Sequence, residues 1–182
     1  MKNGIKSLIL AGVFASGTAA AELNYNYVEG GLGILSPSGQ TYIGPDLRAS
    51  YLINENVFAF GGFRFLTDDF DYTNFHVGAG YRQAIDARTD WWAGASLEYQ
   101  EYDYNRWGSA DDTAPAFRGG IRHQLDDDIE LGVSARLITG DGDYFGLNGQ
   151  ARFRLQDNLS LTGEVDLQDG DFGLFGGVTL FF

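Results

Sequence analysis

The chain of 182 residues contains no cysteine, which excludes a disulfide framework and any C-x-x-C redox or metal motif. Lysine is nearly as scarce. Among twelve basic residues only Lys2 and Lys6 are lysines, so the chain beyond residue 21 carries ten arginines against 25 acids, a net charge of −15. Such a surface is a poor partner for nucleic acid, because neutralising phosphates needs clustered positive charge. It suits the holding of cations. There are two histidines, with no paired-histidine spacing for a metal, and there is no G-x-S-x-G. No cofactor, no metal centre and no catalysis are expected. No segment after the first 21 residues approaches the roughly 20 apolar residues of a membrane-spanning helix.

The N-terminus reads as an export signal. Lys2 and Lys6 form a positive region, Ser7 to Ala15 a short apolar run, and Thr18 to Ala21 a stretch of small residues suited to cleavage after Ala21. Residues 1–21 are therefore expected to be a cleaved signal peptide, and residues 22–182 one domain.

Beyond the leader, apolar residues alternate with polar or small ones. Ile129, Leu131, Val133, Ala135 and Leu137 oppose Glu130, Gly132, Ser134 and Arg136. Phe145, Leu147, Ala151, Phe153 and Leu155 oppose Asn148, Gln150, Arg152 and Arg154. Phe75, Val77, Ala79 and Tyr81 oppose His76, Gly78, Gly80 and Arg82. A period of two means β-strands. In a soluble sandwich the apolar face would point inward. In an outer-membrane barrel it meets lipid, and the polar face lines the lumen.

Three features favour the barrel. The export signal is one. The second is the abundance of aromatics near strand ends, as in Tyr25, Tyr27, Trp91, Trp92, Tyr99, Tyr102 and Tyr144, read as interfacial girdles. The third is the last strand, an alternating run from Phe172 that stops on Phe182. A terminal aromatic on such a strand resembles the signal recognised by the barrel assembly machinery.

Connections alternate between short and long. Short turns fall at residues 54–56, 86–89, 126–128 and 156–158. Longer or more polar loops fall at 36–44, 67–73, 101–116, 139–144 and 168–171. Nine connections predict an all-β, closed, antiparallel up-and-down transmembrane barrel of ten strands, with eight as the alternative. Both termini are then expected in the periplasm. The first strand is irregular, since Leu23, Tyr25 and Tyr27 lie on one face and Val28, Leu32 and Ile34 on the other. A bulge among Glu29, Gly30 and Gly31 would reconcile them.

The opening Asn24-Tyr25-Asn26-Tyr27-Val28-Glu29-Gly30-Gly31, with Val57 to Phe65 and His76 to Arg82, resembles small single-domain Gram-negative outer-membrane barrels of the OmpA/OmpX type. The resemblance implies fold and location. It carries no shared catalytic residues, and the single-domain reading expects no peptidoglycan-binding domain of the kind that follows the barrel in OmpA-type proteins.

Parity assigns Arg48, Arg64, Arg82, Arg118, Arg122, Arg136, Arg152 and Arg154 to the lumen, together with Asp46, Glu98, Glu130, Glu164 and Asp166. Charges in a narrow interior must be paired, and the planar guanidinium grips a carboxylate with two bonds. The expectation is a salt-bridged plug, with a selective pore as the alternative. Phe58, Phe60, Trp92 and Phe175 should narrow the lumen, while Gly78, Gly80, Gly94, Gly120 and Gly132 should leave pockets. Outer-loop acids, among them Asp68, Asp69, Asp71, Asp103, Asp111, Asp112, Asp141, Asp143, Asp169 and Asp171, are expected to be solvated. They could also hold divalent cations diffusely beside anionic lipopolysaccharide. Outer-membrane lipid and the assembly machinery, the latter through Phe182, complete the expected partners. Of the histidines, His76 follows Asp68, Asp69 and Asp71, so a rim His–Asp pair is conceivable, without a serine partner. His123 reads as interfacial.

Overall fold

The computed structural model describes residues 23–37, 40–68, 71–103, 108–140 and 143–182. The expected leader, Glu22, and the acids Asp69 and Asp141 lie outside the described residues. Ten strands follow in order: β1 (Tyr27–Ser36), β2 (Tyr42–Leu52), β3 (Val57–Thr67), β4 (Asp71–Asp86), β5 (Thr89–Asp103), β6 (Ser109–Gln124), β7 (Ile129–Ile138), β8 (Tyr144–Gln156), β9 (Leu159–Gln168) and β10 (Asp171–Phe181). Every sequential pair is antiparallel, and β10 closes onto β1, so the sheet is a closed up-and-down barrel of ten strands rather than eight.

Local chemistry explains the short turns. Asn54 Oδ1 accepts from the backbone N–H groups of Asn56 (3.0 Å) and Val57 (2.9 Å). Asp126 Oδ1 accepts from Asp128 (2.9 Å) and Ile129 (2.8 Å), and Asp86 Oδ1 from Arg88 (2.7 Å). Each side chain substitutes for a backbone acceptor two or three residues back and tightens the reversal.

The opposite end departs from expectation. Residues 168–171 form a two-residue hairpin turn in which Asp169 (φ 47°) and Gly170 (φ 95°) are both left-handed. Asp-Gly favours this geometry, whose twist matches the flanking strands. The expected long loop at 101–116 is shorter too, because β5 runs on to Asp103 and β6 starts at Ser109. Strands β4, β5 and β6, of 16, 15 and 16 residues, make one side of the wall taller than the rest.

The barrel is apolar outside and polar inside. Among the described residues, thirty-one large apolar side chains are exposed and only ten apolar residues are buried, while seventeen polar or charged residues are buried. A soluble fold would reverse this relation. Closure matches it, since a barrel leaves no unpaired edge toward an apolar surround.

The bulge expected in β1 is absent. Tyr27 to Ser36 pairs with β10 without interruption, and Tyr27 to Leu35 does so with β2. The strand keeps one parity, with Val28 and Leu32 outside, while Leu23 and Tyr25, each 3% exposed, turn into the lumen before the strand begins. Register shifts occur instead beside short turns, between Ala84 and Asp86 and between Arg154 and Gln156. The girdle assignment is corrected for the same reason: Tyr25, Tyr27, Trp92, Tyr102 and Tyr144 serve the interior. Tyr81 and Trp91, their ring centroids 5.8 Å apart, and Tyr51 lie outside near the short turns.

Candidate functional site

The interior is the candidate site. Alternation along each strand delivers one charged residue or more from every strand of the barrel except β10. Asp46 holds Arg48 at 2.8 Å and Arg64 at 2.7 Å. Arg48 also reaches Glu164 at 2.6 Å and Glu29 at 3.6 Å. Glu29 takes Arg152 at 3.1 Å, Arg152 reaches Glu130 at 3.0 Å, and Glu130 holds Arg122 at 2.8 Å. An unbroken chain of seven residues thus runs from β3 to β6 by way of β2, β1, β8 and β7, with Glu164 of β9 as a branch on Arg48. Several links are two-pronged. Arg48 donates to both oxygens of Asp46 and of Glu164, and Arg122 to both oxygens of Glu130, the geometry that makes charge-assisted bonds strongest.

Three further pairs stand apart: Arg118 with Glu98, Arg82 with Asp90 at 3.3 Å, and Arg136 with Asp166 at 3.8 Å. Among the described residues, seven arginines and seven carboxylates thus pair inside, so the lumen is close to neutral. Aromatic faces cover the guanidiniums. Arg48 lies 4.4 Å over Phe175, Arg152 4.7 Å over Tyr27, and Tyr25 receives Arg122 at 4.3 Å and Arg82 at 4.9 Å. Stripping water from such contacts strengthens them.

Apolar clusters lie on either side of the ionic layer. Leu23, Tyr25 and Phe58, joined by Leu52, Phe60, Ala84 and Trp92, fill the end with the short turns. At the loop end, Tyr42, Leu66 and Tyr72 form one cluster, and Ala114, Ala116 and Ile138 another. Between them remains a cavity of about 190 Å³, and a second of about 300 Å³ opens at the turn-end mouth.

The glycines expected to leave pockets are filled partly by rings. A Cβ on Gly80 would meet the Phe58 ring (Cε1 at 2.8 Å), one on Gly78 would meet Phe60 Cζ at 2.8 Å, and one on Gly94 would meet Phe60 Cε1 at 3.0 Å. These glycines are the sockets of Phe58 and Phe60.

Arg48, Arg64, Arg82, Arg118, Arg122, Arg136, Arg152, Asp46, Glu98, Glu130, Glu164 and Asp166 therefore all face the lumen and one another in ion pairs. Arg154 does not join them; it lies exposed at the turn-end mouth, with no ion pair among the described residues. Glu29 and Asp90 were not foreseen. The supposed bulge hid the parity of Glu29, whereas counting back two residues from the inward Trp92 would have found Asp90. His76 sits inside β4, opposite Glu98, with Nδ1 3.4 Å from Asn74 Oδ1, and not at the rim beside the loop acids. His123 Nδ1 lies 2.9 Å from the Thr89 hydroxyl near a short turn. Phe182 is 64% exposed, and its N–H donates to the carbonyl of Asn26.

These features define a closed ten-stranded barrel with an apolar exterior and an ion-paired interior. The chain belongs to the family described as a protein of unknown function, DUF481, whose model matches residues 45–168, from within β2 to the end of β9. No curated protein matches it in sequence. Among solved structures it is similar in fold to a KdgM porin, with 11% identity over 86% of this chain and 99% of that one and a TM-score of 0.53. Weaker likenesses are to Ail, the attachment invasion locus protein of Yersinia pestis (14% identity, 85% and 95% covered, TM-score 0.43), and to Neisserial surface protein A (16%, 86% and 96%, TM-score 0.43). These neighbours are outer-membrane β-barrels.

Proposed function

We propose that the protein is an integral outer-membrane barrel with a structural or surface-interaction role, without catalysis, whose interior is plugged by ion pairs. The observation that carries this reading is the unbroken chain from Arg64 through Asp46, Arg48, Glu29, Arg152 and Glu130 to Arg122, flanked by apolar clusters. A water-filled pore has no need to join its charges across the axis, and breaking a buried pair costs several kcal/mol. The exposed apolar belt supports a lipid surround, because apolar area of that extent is unfavourable in water. In this reading residues 1–21 are the export signal and both termini face the periplasm. The loop acids meet the lipopolysaccharide layer with diffuse divalent cations, and Phe182 is read by the assembly machinery. The OmpA/OmpX type is the finer kinship that the opening strand supports.

The second reading is a narrow channel for small polar solutes. It is favoured by the charged central cavity of about 190 Å³ and by the likeness in fold to a protein called a porin. Single-channel recording on refolded protein in a planar bilayer separates the two. N-terminal sequencing of the membrane-fraction protein tests the export reading, with Glu22 expected as the first residue.

A further inference from the structure

Inner-wall arginines mostly face acids across the ladders. Arg48 stands opposite Glu29, Arg64 opposite Asp46, Arg122 opposite Asp90 and Arg152 opposite Glu130. Arg118 and Arg136 break the rule, for they stand directly opposite each other on β6 and β7. Like charges in that relation repel. Their carboxylates only partly compensate. Glu98 is taken by Arg118. Asp166 lies 3.8 Å from Arg136, beyond hydrogen-bond reach, and accepts a bond from Gln168.

Ser96 accepts from Arg118 and donates to Glu98, but two other polar groups beside the pair, Ser134 and Asn148, have no such partner. Among the described residues, no hydrogen bond engages the side chains of Arg136, Ser134 or Asn148, and Arg118 Nε is buried without an acceptor. Ser134 and Asn148 are themselves cross-strand partners, one step along the wall from the arginines. All four line the central cavity. Gly146, opposite Arg136, adds no side chain to the space beside it.

We propose that the central cavity binds one small inorganic oxyanion between Arg118 and Arg136, with Ser134 and Asn148 as further donors. Guanidinium forks match oxyanions better than spherical halides, and a hydroxyl and an amide add donors of the same kind. The cavity suffices: at about 190 Å³ it exceeds several times the ~30 Å³ share of a single water. The anion would relieve the repulsion of the cross-strand pair, whether or not the barrel conducts.

Sulfate is the probe. Equilibrium dialysis of labelled sulfate against folded barrel in detergent, in excess chloride, should give one site per chain. Arg136→Gln should weaken binding about tenfold or more, as expected for loss of a charged donor. Asn148→Asp places a carboxylate beside the arginines and should abolish sulfate binding while keeping the fold, so it decides the matter even where Arg136→Gln fails to fold. Sulfate also strengthens folding generally by exclusion from protein surfaces, so the thermal midpoint is read as the wild-type shift minus that of Asn148→Asp. No saturable binding to wild type, or equal binding by Asn148→Asp, overturns the proposal.

Discussion

Glu29 Oε2 accepts a hydrogen bond from Arg152 Nη2 at 3.1 Å, joining β1 to β8 across the lumen although the residues are 123 apart in sequence. The same oxygen accepts from the Thr179 hydroxyl at 2.6 Å, and Glu29 Oε1 lies 3.6 Å from Arg48. One buried carboxylate therefore ties β1 and both its neighbours, β2 and β10, to β8, three strands along the wall. Loss of this group leaves two arginines short of counter-charge.

Glu29→Ala is accordingly expected to destabilise the barrel by about 1–3 kcal/mol, the cost of leaving buried donors unsatisfied, because Arg48 keeps Asp46 and Glu164 and Arg152 keeps Glu130. Urea unfolding in lipid vesicles measures it. A loss below about 1 kcal/mol, the level of a surface pair, would contradict the network.

Gly80 and Phe58 test the socket. Gly80→Ala drives a methyl into the ring of Phe58 and should cost about 1–3 kcal/mol, the range of overpacking. Phe58→Leu removes the obstacle at its own cost. The double variant should be more stable than the sum of the single losses predicts, by about 0.5 kcal/mol or more. Strict additivity would show that the ring does not occupy that space.

Phe182 separates assembly from packing. Its ring is exposed, so deletion should reduce refolding into detergent only slightly. The yield of folded barrel in cells should fall much further if the assembly machinery reads it. Equal losses in both settings would make Phe182 a packing residue alone.

Most of the fold was legible because alternation is a physical signature of a two-faced sheet. Arg136 between Ala135 and Leu137 can point only one way once the apolar face is chosen, and Asn54, Asp86 and Asp126 mark their turns by the bonds they make. Two things escaped. Tyr25 and Tyr27 are aromatic yet inward, because arginines inside a barrel need aromatic faces; a rule that sends strand-end tyrosines to the lipid misplaces them and, with them, Glu29. The heights of β5 and β6 were hidden because Glu101, Asp103, Asp111 and Asp112 look like loop residues. Pairing with the neighbouring strand, not side-chain polarity, decides their conformation.

The most direct test of the central claim is single-channel conductance of wild type and Glu130→Ala, with unfolding measured on the same preparations. Glu130 holds Arg122 and Arg152 together. The plugged lumen predicts a very small wild-type conductance, and a loss of about 3–5 kcal/mol in the variant. A steady conductance in wild type that turns more anion-selective in Glu130→Ala, with stability unchanged, would contradict it.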